Sequence, residues 1–138
     1  MSLSSIQDVQ FRTLKAFGSD AEGRLVVLEE KDVGFAVKRS YYIYDVPPGE
    51  IRGRHASRGG NQVFICLKGA CRFVCDDGRD KREFVLDKPE LALSVPPMIW
   101  GEQTYLEPGS IALVYRDTGY DPADYVNDYD EFLRLTGS

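Results

Sequence analysis

Short apolar runs, separated by residues that form turns, dominate the chain. The clearest runs are RLVVLEE, FAVKRSYYIYDV, QVFICL, ACRFVC, KREFVL, LALSVPP and SIALVYR. They are rich in β-branched and aromatic residues, and the tripeptide DDG (residues 76–78) between two of them predicts a tight hairpin. Many short strands with turns every 8 to 12 residues or so are typical of a β-sandwich or barrel. The pattern therefore predicts an all-β fold.

The tail YDPADYVNDYDEFLRL follows a different period. Asp121 is suited to cap a helix, Pro122 to occupy its first position and Asp124 to its first turn. Apolar residues then recur at helical spacing, at Tyr125, Tyr129, Phe132 and Leu133. This pattern predicts one short C-terminal helix that packs on the outside of the β-domain.

The overall composition limits the classes of function. A chain of 138 residues with 43% hydrophobic and 28% charged residues fits one globular domain spanning residues 1–138. No apolar run approaches the roughly 20 residues that cross a bilayer, and the first residues do not resemble a signal peptide. We expect a cytoplasmic protein that does not bind membranes, with residues 1–5 frayed or left over from cloning. The net charge of −5 argues against nucleic-acid binding.

Arginines cluster around the single histidine of this acidic chain. Arg52, Arg54 and Arg58 surround His55, and Arg39 lies one element earlier. Such a patch suits a small anionic ligand, although three arginines on a solvated loop would look the same. The three cysteines form no C-x-x-C pair and lie among apolar residues, so we expect small buried side chains at Cys66, Cys71 and Cys75.

His55 and Ser57 are two residues apart and would share one face of a strand. With Gln62 and Gly69 further on, they follow the frame of the first cupin motif, in which a His-x-His pair and a Glu bind a metal. Here the second histidine is Ser57 and the glutamate is Gln62. One imidazole, a hydroxyl and an amide are too few strong ligands for a transition metal. The sequence therefore predicts a site without metal or other cofactor.

The run KRSYYIYDVPPGEIRGRHASRGGNQVFICLKGACRFVCDDG resembles the dTDP-4-keto-6-deoxyglucose 3,4-ketoisomerases, RmlC-like cupins related to the C-terminal domain of WxcM-like proteins. PPMIW and the tail YDPADYVNDYDEF extend the resemblance over nearly the whole chain. It implies a cupin double-stranded β-helix, or jelly roll, and a homodimer with a nucleotide-sugar pocket at the barrel mouth. Two positions depart from the family pattern: His-Ala-His reads HAS at Ser57, and Trp-His reads WG at Gly101.

The resemblance implies a sugar-nucleotide isomerase that makes deoxysugars for surface polysaccharides. Moving a ketone from C4 to C3 requires a base that removes a proton beside the carbonyl, an enediol, and return of the proton at the neighbouring carbon. His55 is the natural base, while Ser57 could only hold an oxygen or a relay water. The alternative is a catalytically silent cupin that binds a nucleotide sugar or another anionic sugar, because Ser57 and Gly101 stand where the family has histidine.

Further site residues remain open at the level of sequence. Either Tyr41 or the pair Tyr42 and Tyr44 faces the pocket, since a one-residue shift reverses every side chain; the family resemblance favours Tyr41, together with Arg39. The other candidates each have a plain structural alternative. Arg52 would hold the pyrophosphate or a sugar oxygen, or form a salt bridge with Glu50 or another carboxylate. Gln62 would hydrogen-bond the ligand or orient His55, or be a satisfied core amide. Trp100 would stack on the base or form a wall of the pocket, or simply pack.

Overall fold

Residues 3–137 are described by a computed structural model, in which two five-stranded antiparallel sheets enclose a shared core. The strands of the first sheet, in spatial order, are β1 (Gln10–Thr13), β9 (Leu91–Val95), β6 (Gln62–Lys68), β11 (Ile111–Arg116) and β4 (Arg39–Ile43). Those of the second are β12 (Tyr125–Val126), β5 (Ile51–Ser57), β10 (Trp100–Tyr105), β7 (Cys71–Asp76) and β8 (Lys81–Leu86). This arrangement confirms the predicted all-β jelly roll.

Smaller elements lie outside the two sheets. A two-stranded hairpin consists of β2 (Ala16–Ser19) and β3 (Gly23–Val26), and the helices are α1 (Glu30–Val33) and α2 (Tyr129–Thr136). Short 3-10 turns occupy Ile6–Asp8 and Pro122–Asp124. The predicted DDG hairpin is present as the antiparallel β7–β8 pair, with Gly78 at a φ of 93°, which glycine adopts most easily.

The core lies between the sheets and is filled from both. Phe64 of β6 and Phe73 of β7 meet edge to face with ring centroids 5.1 Å apart. The three cysteines are free and buried, as the sequence predicts, and the sulfurs of Cys66 and Cys71 lie 3.4 Å apart. The apolar side chains between the sheets are removed from water, and their burial supplies most of the driving force for folding.

The C-terminal helix begins later than the sequence pattern predicts. Asp121 does act as a cap, since its carboxylate accepts from the backbone N–H of Ala123, but it caps only the 3-10 turn Pro122–Asp124, and α2 starts after a second cap at Asp128. The intervening Tyr125 and Val126 instead pair with β5. Tertiary pairing with β5 therefore overrides the local helix signal at these two residues.

Other element boundaries also differ from the sequence expectations. The predicted strand FAVKRSYYIYDV shrinks to β4, preceded by the short α1, and β10 forms over WGEQTY, where no strand was expected. Residues 1–5 are predicted to be frayed or left over from cloning, and residues 1 and 2 lie outside the described range. At the end of this segment, the Ser5 backbone N–H donates to the Asp8 carboxylate at 2.8 Å. In the described residues, no helix is long and apolar enough to cross a membrane.

Candidate active site

His55 lies on the inner face of β5, opposite Gly101 of β10. Gly101 in turn pairs with Cys75 of β7, whose side chain belongs to the barrel core. The imidazole is half-buried, and the ring of Tyr125 meets it edge-on with centroids 4.9 Å apart. The ring of Phe73 packs close to this glycine, since a Cβ at position 101 would lie 2.8 Å from it. Because residue 101 is a glycine, His55 has no histidine neighbour across the strand pair.

A β-bulge places Arg52 on the same face as His55, although the two are three positions apart and simple alternation would put them on opposite faces. Gly53 and Arg54 adopt φ values of 90° and 60°, and the register of β5 against β10 shifts by one residue there. Arg52 consequently pairs with Gln103, which shares the inner face with Gly101. The bulge therefore turns the side chain of Arg52, one of the predicted ligand-binding arginines, toward the face that holds His55.

Burial lowers the pKa of His55 below its usual value, and the nearby positive charge of Arg116 lowers it further. The carbonyl of Gly53 acts in the opposite sense, but it does not outweigh the other two. A histidine with a pKa below about 6.5 is mostly neutral at pH 7. His55 therefore has the protonation state that a general base requires.

The register of β4 resolves the tyrosine alternative in favour of Tyr41. Tyr41 pairs with Val114 of β11 and faces inward, while Tyr42 is 68% exposed on the outer face. Burial raises the pKa of the Tyr41 phenol, against the opposing charges of Arg116 and Arg39, so the hydroxyl is protonated at neutral pH. Tyr41 can therefore donate or exchange a proton but is not a ready base.

Arg39 lies two residues before Tyr41 on the same face. Its guanidinium donates to the Tyr125 hydroxyl at 2.8 Å and lies 5.5 Å from the centre of the Tyr41 ring. The sequence prediction that Arg39 and Tyr41 share the pocket side of β4 therefore agrees with the geometry. Arg39 thereby holds the Tyr125 side chain, whose ring meets that of His55.

Ser57 is buried, and its hydroxyl is fully occupied by protein groups. It donates to the carboxylate of Asp124 and accepts from the backbone N–H of Gly60 at 2.9 Å and from Arg116 at 2.8 Å. A hydroxyl has one donor and two acceptor sites. In this arrangement it therefore has no proton or lone pair left for a substrate, and the relay role considered from the sequence would require one of these bonds to break.

Arg116, which the sequence reasoning missed, is the central cation of the inner face. Its side chain is 0% exposed, lies 3.2 Å from the Asp124 carboxylate and is 5.4 Å from the centre of the Tyr125 ring. Gly60 leaves room for it, since a Cβ there would stand 2.5 Å from its Nη2 atom. The sequence does contain one signal, since Arg116 ends the otherwise apolar run SIALVYR. An arginine is rarely fully buried unless it is paired.

Gln62 and Trp100, the remaining predicted residues, lie in different places. Gln62 stands beside Arg116 in the β6–β11 register, on the inner face near the barrel mouth. Trp100 does not reach this pocket: it precedes the inward Gly101 on β10, so alternation turns it outward, where it is 5% exposed and packs on Phe132 of α2. The packing alternative is thus the one that fits Trp100.

Two of the three arginines around His55 are engaged elsewhere. Arg54 is 3.9 Å from Glu102 and Arg58 is 3.1 Å from Glu131, both at exposed positions. Within residues 3–137, Arg52 has no carboxylate at salt-bridge distance, so the predicted alternative of a Glu50 pair is not formed. Arg52 therefore stays available to an anionic ligand.

Two clefts are relevant to ligand binding. A shallow one of about 240 Å³ opens beside His55 and is lined by Tyr120, Pro122, Tyr125 and Asn127. A larger polar cleft of about 340 Å³ includes Arg12, Lys31 and Gln62. Only the first contains a side chain whose ordinary pKa is near neutrality; it reaches His55 from the side of Tyr120 and Tyr125, while Gln62 lines the second. In the part of the chain that is described, no three His, Cys, Asp or Glu side chains are arranged to hold a metal ion.

Comparison with known proteins now identifies the family. Residues 7–137 match the family described as FdtA: WxcM-like, C-terminal. The chain is 40% identical over 116 residues to the TDP-4-oxo-6-deoxy-alpha-D-glucose-3,4-oxoisomerase of Aneurinibacillus thermoaerophilus, covering 83% of this chain and 84% of that protein. The chain belongs to the WxcM-like C-terminal (FdtA) family.

Solved structures of two 3,4-ketoisomerases share the fold over almost the whole chain. A 3,4-ketoisomerase from Helicobacter canadensis has a TM-score of 0.89 at 34% identity, covering 95% of this chain and 98% of that one. QdtA, a sugar 3,4-ketoisomerase from Thermoanaerobacterium thermosaccharolyticum in complex with TDP, has a TM-score of 0.90 at 27% identity, covering 96% and 97%. The family resemblance inferred from the sequence motifs is confirmed.

Proposed function

We propose that this protein is a 3,4-ketoisomerase that acts on a TDP-4-keto-6-deoxyhexose in deoxysugar biosynthesis. The observation that carries the proposal is His55: a half-buried, neutral imidazole on the inner face of a chain that belongs to the FdtA family. The chain's relatives bear the names of TDP-sugar ketoisomerases. An imidazole with a pKa below neutrality matches the proton abstraction that this reaction needs.

In the proposed reaction, His55 takes the proton from C3 of the 4-keto sugar. The C–H electron pair forms a C3–C4 double bond, and the carbonyl oxygen at C4 gains negative charge and then a proton. The enediol collapses when the C3 hydroxyl loses its proton and protonated His55 returns a proton to C4. The product carries the ketone at C3, and no atom or electron is gained or lost. Tyr41, protonated and inward-facing, is our candidate for proton exchange between the two oxygens.

Ligand binding is assigned to three side chains on the inner face. Arg52 has no salt bridge and suits the pyrophosphate, which a guanidinium binds through two parallel hydrogen bonds. Arg39 and Gln62 flank Arg116 across the sheet and would hold oxygens of the sugar. Trp100 is left out of the ligand site because it packs on α2.

Two other activities are weaker interpretations. A silent sugar-nucleotide binder is favoured by Ser57 and Gly101, where the family pattern has histidine, but the lowered pKa of His55 and the unpaired Arg52 fit an enzyme better. An epimerase of the kind that uses a His–Asp pair fits less well. The pKa of His55 is shifted by burial, by the charge of Arg116 and by the backbone of Gly53, and no carboxylate contributes to that shift.

The test is proton NMR of the protein with TDP-4-keto-6-deoxyglucose in D₂O. We expect loss of the sugar H3 signal and new 3-keto resonances. Broadened ligand signals with H3 intact over hours would instead establish the silent binder. A sample without protein is the control for spontaneous exchange beside the ketone.

We further propose a homodimer, formed through the outer face of β4. Tyr42 and Tyr44 are 68% and 60% exposed there, beside Leu67 at 43%. They border a cleft of about 510 Å³ that Ile111 and Leu113 also line. A surface this apolar is rarely left in water on a monomer. The double variant Tyr42→Glu/Tyr44→Glu should be monomeric by light scattering with the barrel folded, whereas an unchanged dimer would place the interface elsewhere.

A cytoplasmic location is part of the same proposal. The three cysteines are free, and two of them have sulfurs 3.4 Å apart without being joined. Such thiols persist most readily in a reducing compartment. Fractionation of cells that express the protein, followed by immunoblotting, would check this location.

A further inference from the structure

Two arginines lie side by side on the inner face with too little negative charge to balance them. Arg39 of β4 and Arg116 of β11 occupy directly opposite positions in the register, so their side chains emerge next to each other. Asp124 pairs with Arg116 at 3.2 Å, and among residues 3–137 no carboxylate forms a salt bridge with Arg39. One positive charge at the barrel mouth is therefore left without a counter-charge.

Arg116 also has hydrogen-bonding capacity that the protein does not use. Its Nη2 atom donates to Ser57 and Asp124, while its Nε and Nη1 atoms are buried and have no hydrogen-bond partner among residues 3–137. Within the same range, the Nε atom of Arg39 is also buried and without a partner. The Tyr41 hydroxyl is near enough for a hydrogen bond with the Arg116 side chain to lower the pKa of Tyr41, but it does not pair with Nε or Nη1 in good geometry. Buried donors of a charged group are costly to leave unpaired, so this guanidinium is arranged for a further acceptor.

The environment of Arg116 identifies that acceptor. Arg116 and Tyr41 lie on neighbouring strands of the first sheet, and the Tyr125 ring contacts both Arg116, at 5.4 Å, and His55, at 4.9 Å. The positive charge of Arg116 acts on the pKa of both His55 and Tyr41. When a base at His55 removes a proton from C3, negative charge develops on the oxygen at C4. Enzymes usually stabilise such a charge with a preorganised cation that faces the oxygen in a site from which water is excluded.

We propose that Arg116 is a catalytic residue that binds the enediolate oxygen through its Nε–H and Nη1–H groups. The inference rests on the proposed ketoisomerase function. Ser57 and Asp124 hold the other end of the guanidinium, so the serine in the His-Ala-Ser sequence positions the arginine and is not itself an acid or base. The Tyr125 ring now covers Arg116 at 5.4 Å and has to move aside for the sugar, which also releases Arg39 from the Tyr125 hydroxyl.

Arg116→Met and Arg116→Lys test this assignment, with turnover and TDP affinity measured side by side. Loss of one such donor typically costs about 10²- to 10³-fold in kcat. We expect Arg116→Met to lose about that much and Arg116→Lys, which keeps the charge without the planar fork, to lose at least about 10-fold. The Kd for TDP should stay within about twofold in both, because the nucleotide lacks the reacting sugar. Arg58→Met, at an exposed arginine paired with Glu131, is the matched control and should retain full turnover.

The outcomes separate the two proposals. A wild-type protein without turnover overturns the ketoisomerase function, whereas an active wild type with an unimpaired Arg116→Met overturns only the role of Arg116. A parallel loss of TDP affinity would assign Arg116 to the pyrophosphate and also contradict the inference. Should Arg116→Met fail to fold, Arg116→Lys decides, since wild-type kcat in that variant is incompatible with a required fork.

Ser57 receives its own test as a positioning residue. Ser57→Ala should lower kcat with little change in KM, and Ser57→Thr, which keeps the hydroxyl, should restore most of it. Equal kcat in the wild type and Ser57→Ala would mean that Asp124 alone holds the guanidinium, and the positioning role of Ser57 would be withdrawn.

Discussion

The outer face of the sheet that contains β5 and β10 differs from the inner side of the barrel in how its polar groups are paired. On the outer face, Trp100 and Phe132 pack under α2, and the polar atoms there are paired: Trp100 donates to Glu102 at 3.1 Å and Tyr129 to Asp76 at 2.6 Å. On the inner side of the barrel, four of the six buried polar side-chain atoms that lack a partner in the described residues belong to Arg39, Tyr105 and Arg116.

This difference in pairing distinguishes a surface whose side chains stabilise the fold from a surface whose side chains can bind a ligand. Native proteins pair nearly all of their buried polar groups, so a concentration of unpaired donors on one face requires an explanation. A bound substrate provides it, since binding would supply the missing acceptors. Changes on the inner face should therefore affect turnover, and changes on the outer face should affect stability.

The largest effect is expected on the inner face, at His55. His55→Asn keeps a polar side chain of similar size but removes the base, and loss of one general base typically costs about 10²- to 10⁴-fold in kcat. The melting temperature and the Kd for TDP should remain close to wild type. Turnover within threefold or so of wild type would remove His55 from the mechanism and leave the inner face without a base.

The outer-face counterpart is Phe132→Ala, which opens a cavity beneath α2. Phe132 is 0% exposed, and truncating a buried phenylalanine costs about 3–5 kcal/mol in the free energy of unfolding. Urea denaturation measures this loss, while kcat per folded molecule should not change. Leu135→Ala, at a position of α2 that is 37% exposed, is the control and should cost far less. A large fall in kcat at full folding would show that the two faces are not independent.

The pH dependence of kcat/KM tests the state of His55 more finely. Burial and Arg116 lower its pKa, so activity should be constant near neutrality and fall only as the pH drops through a value below about 6.5. Between the ordinary pKa of about 6.5 and the lowered pKa, the unfolded chain binds more protons than the folded one, so the free energy of unfolding should decrease as the pH falls through this interval and level off below it. With one histidine in the chain, NMR titration reads the pKa directly. An acid limb above pH 7 would contradict this environment.

The smallest effect is expected for Tyr129→Phe on the outer face. The bond to Asp76 raises the pKa of the Tyr129 phenol to about 12, so this hydroxyl donates throughout the neutral range. Its removal should cost about 1.5 kcal/mol in the free energy of unfolding, as is usual for a hydrogen bond to a charged group. Thermal denaturation measures that cost, and kcat should match the wild type. A fall in kcat like that of His55→Asn would contradict the assignment of this face to stability alone.

Sequence patterns predicted the barrel well because strand alternation and turn residues act locally. They could not resolve the register of β4, since Tyr41, Tyr42 and Tyr44 are chemically alike and only pairing with β11 distinguishes them. The helix was predicted too early because the cap at Asp121 is a genuine local signal that β-pairing by Tyr125 overrides.

The candidate site was predicted in part. His55 stood out as the single histidine, and the family resemblance pointed to Arg39 and Tyr41 on the inner face. Arg116 and Asp124 were missed because their link to Ser57 joins positions separated by 59 and 67 residues in the chain. Trp100, predicted either to contact the ligand or to pack, packs on Phe132 of α2; the sequence left both open because it does not reveal which side of β10 faces α2.

The most direct test of the two-face account is a crystal structure of the His55→Asn protein with TDP-4-keto-6-deoxyglucose. The account predicts the hexose on the inner face, with C3 beside position 55, the C4 oxygen at Arg116 and the Tyr125 ring displaced. A hexose bound in the polar cleft that contains Arg12 and Lys31, with the inner face still closed by Tyr125, would contradict it.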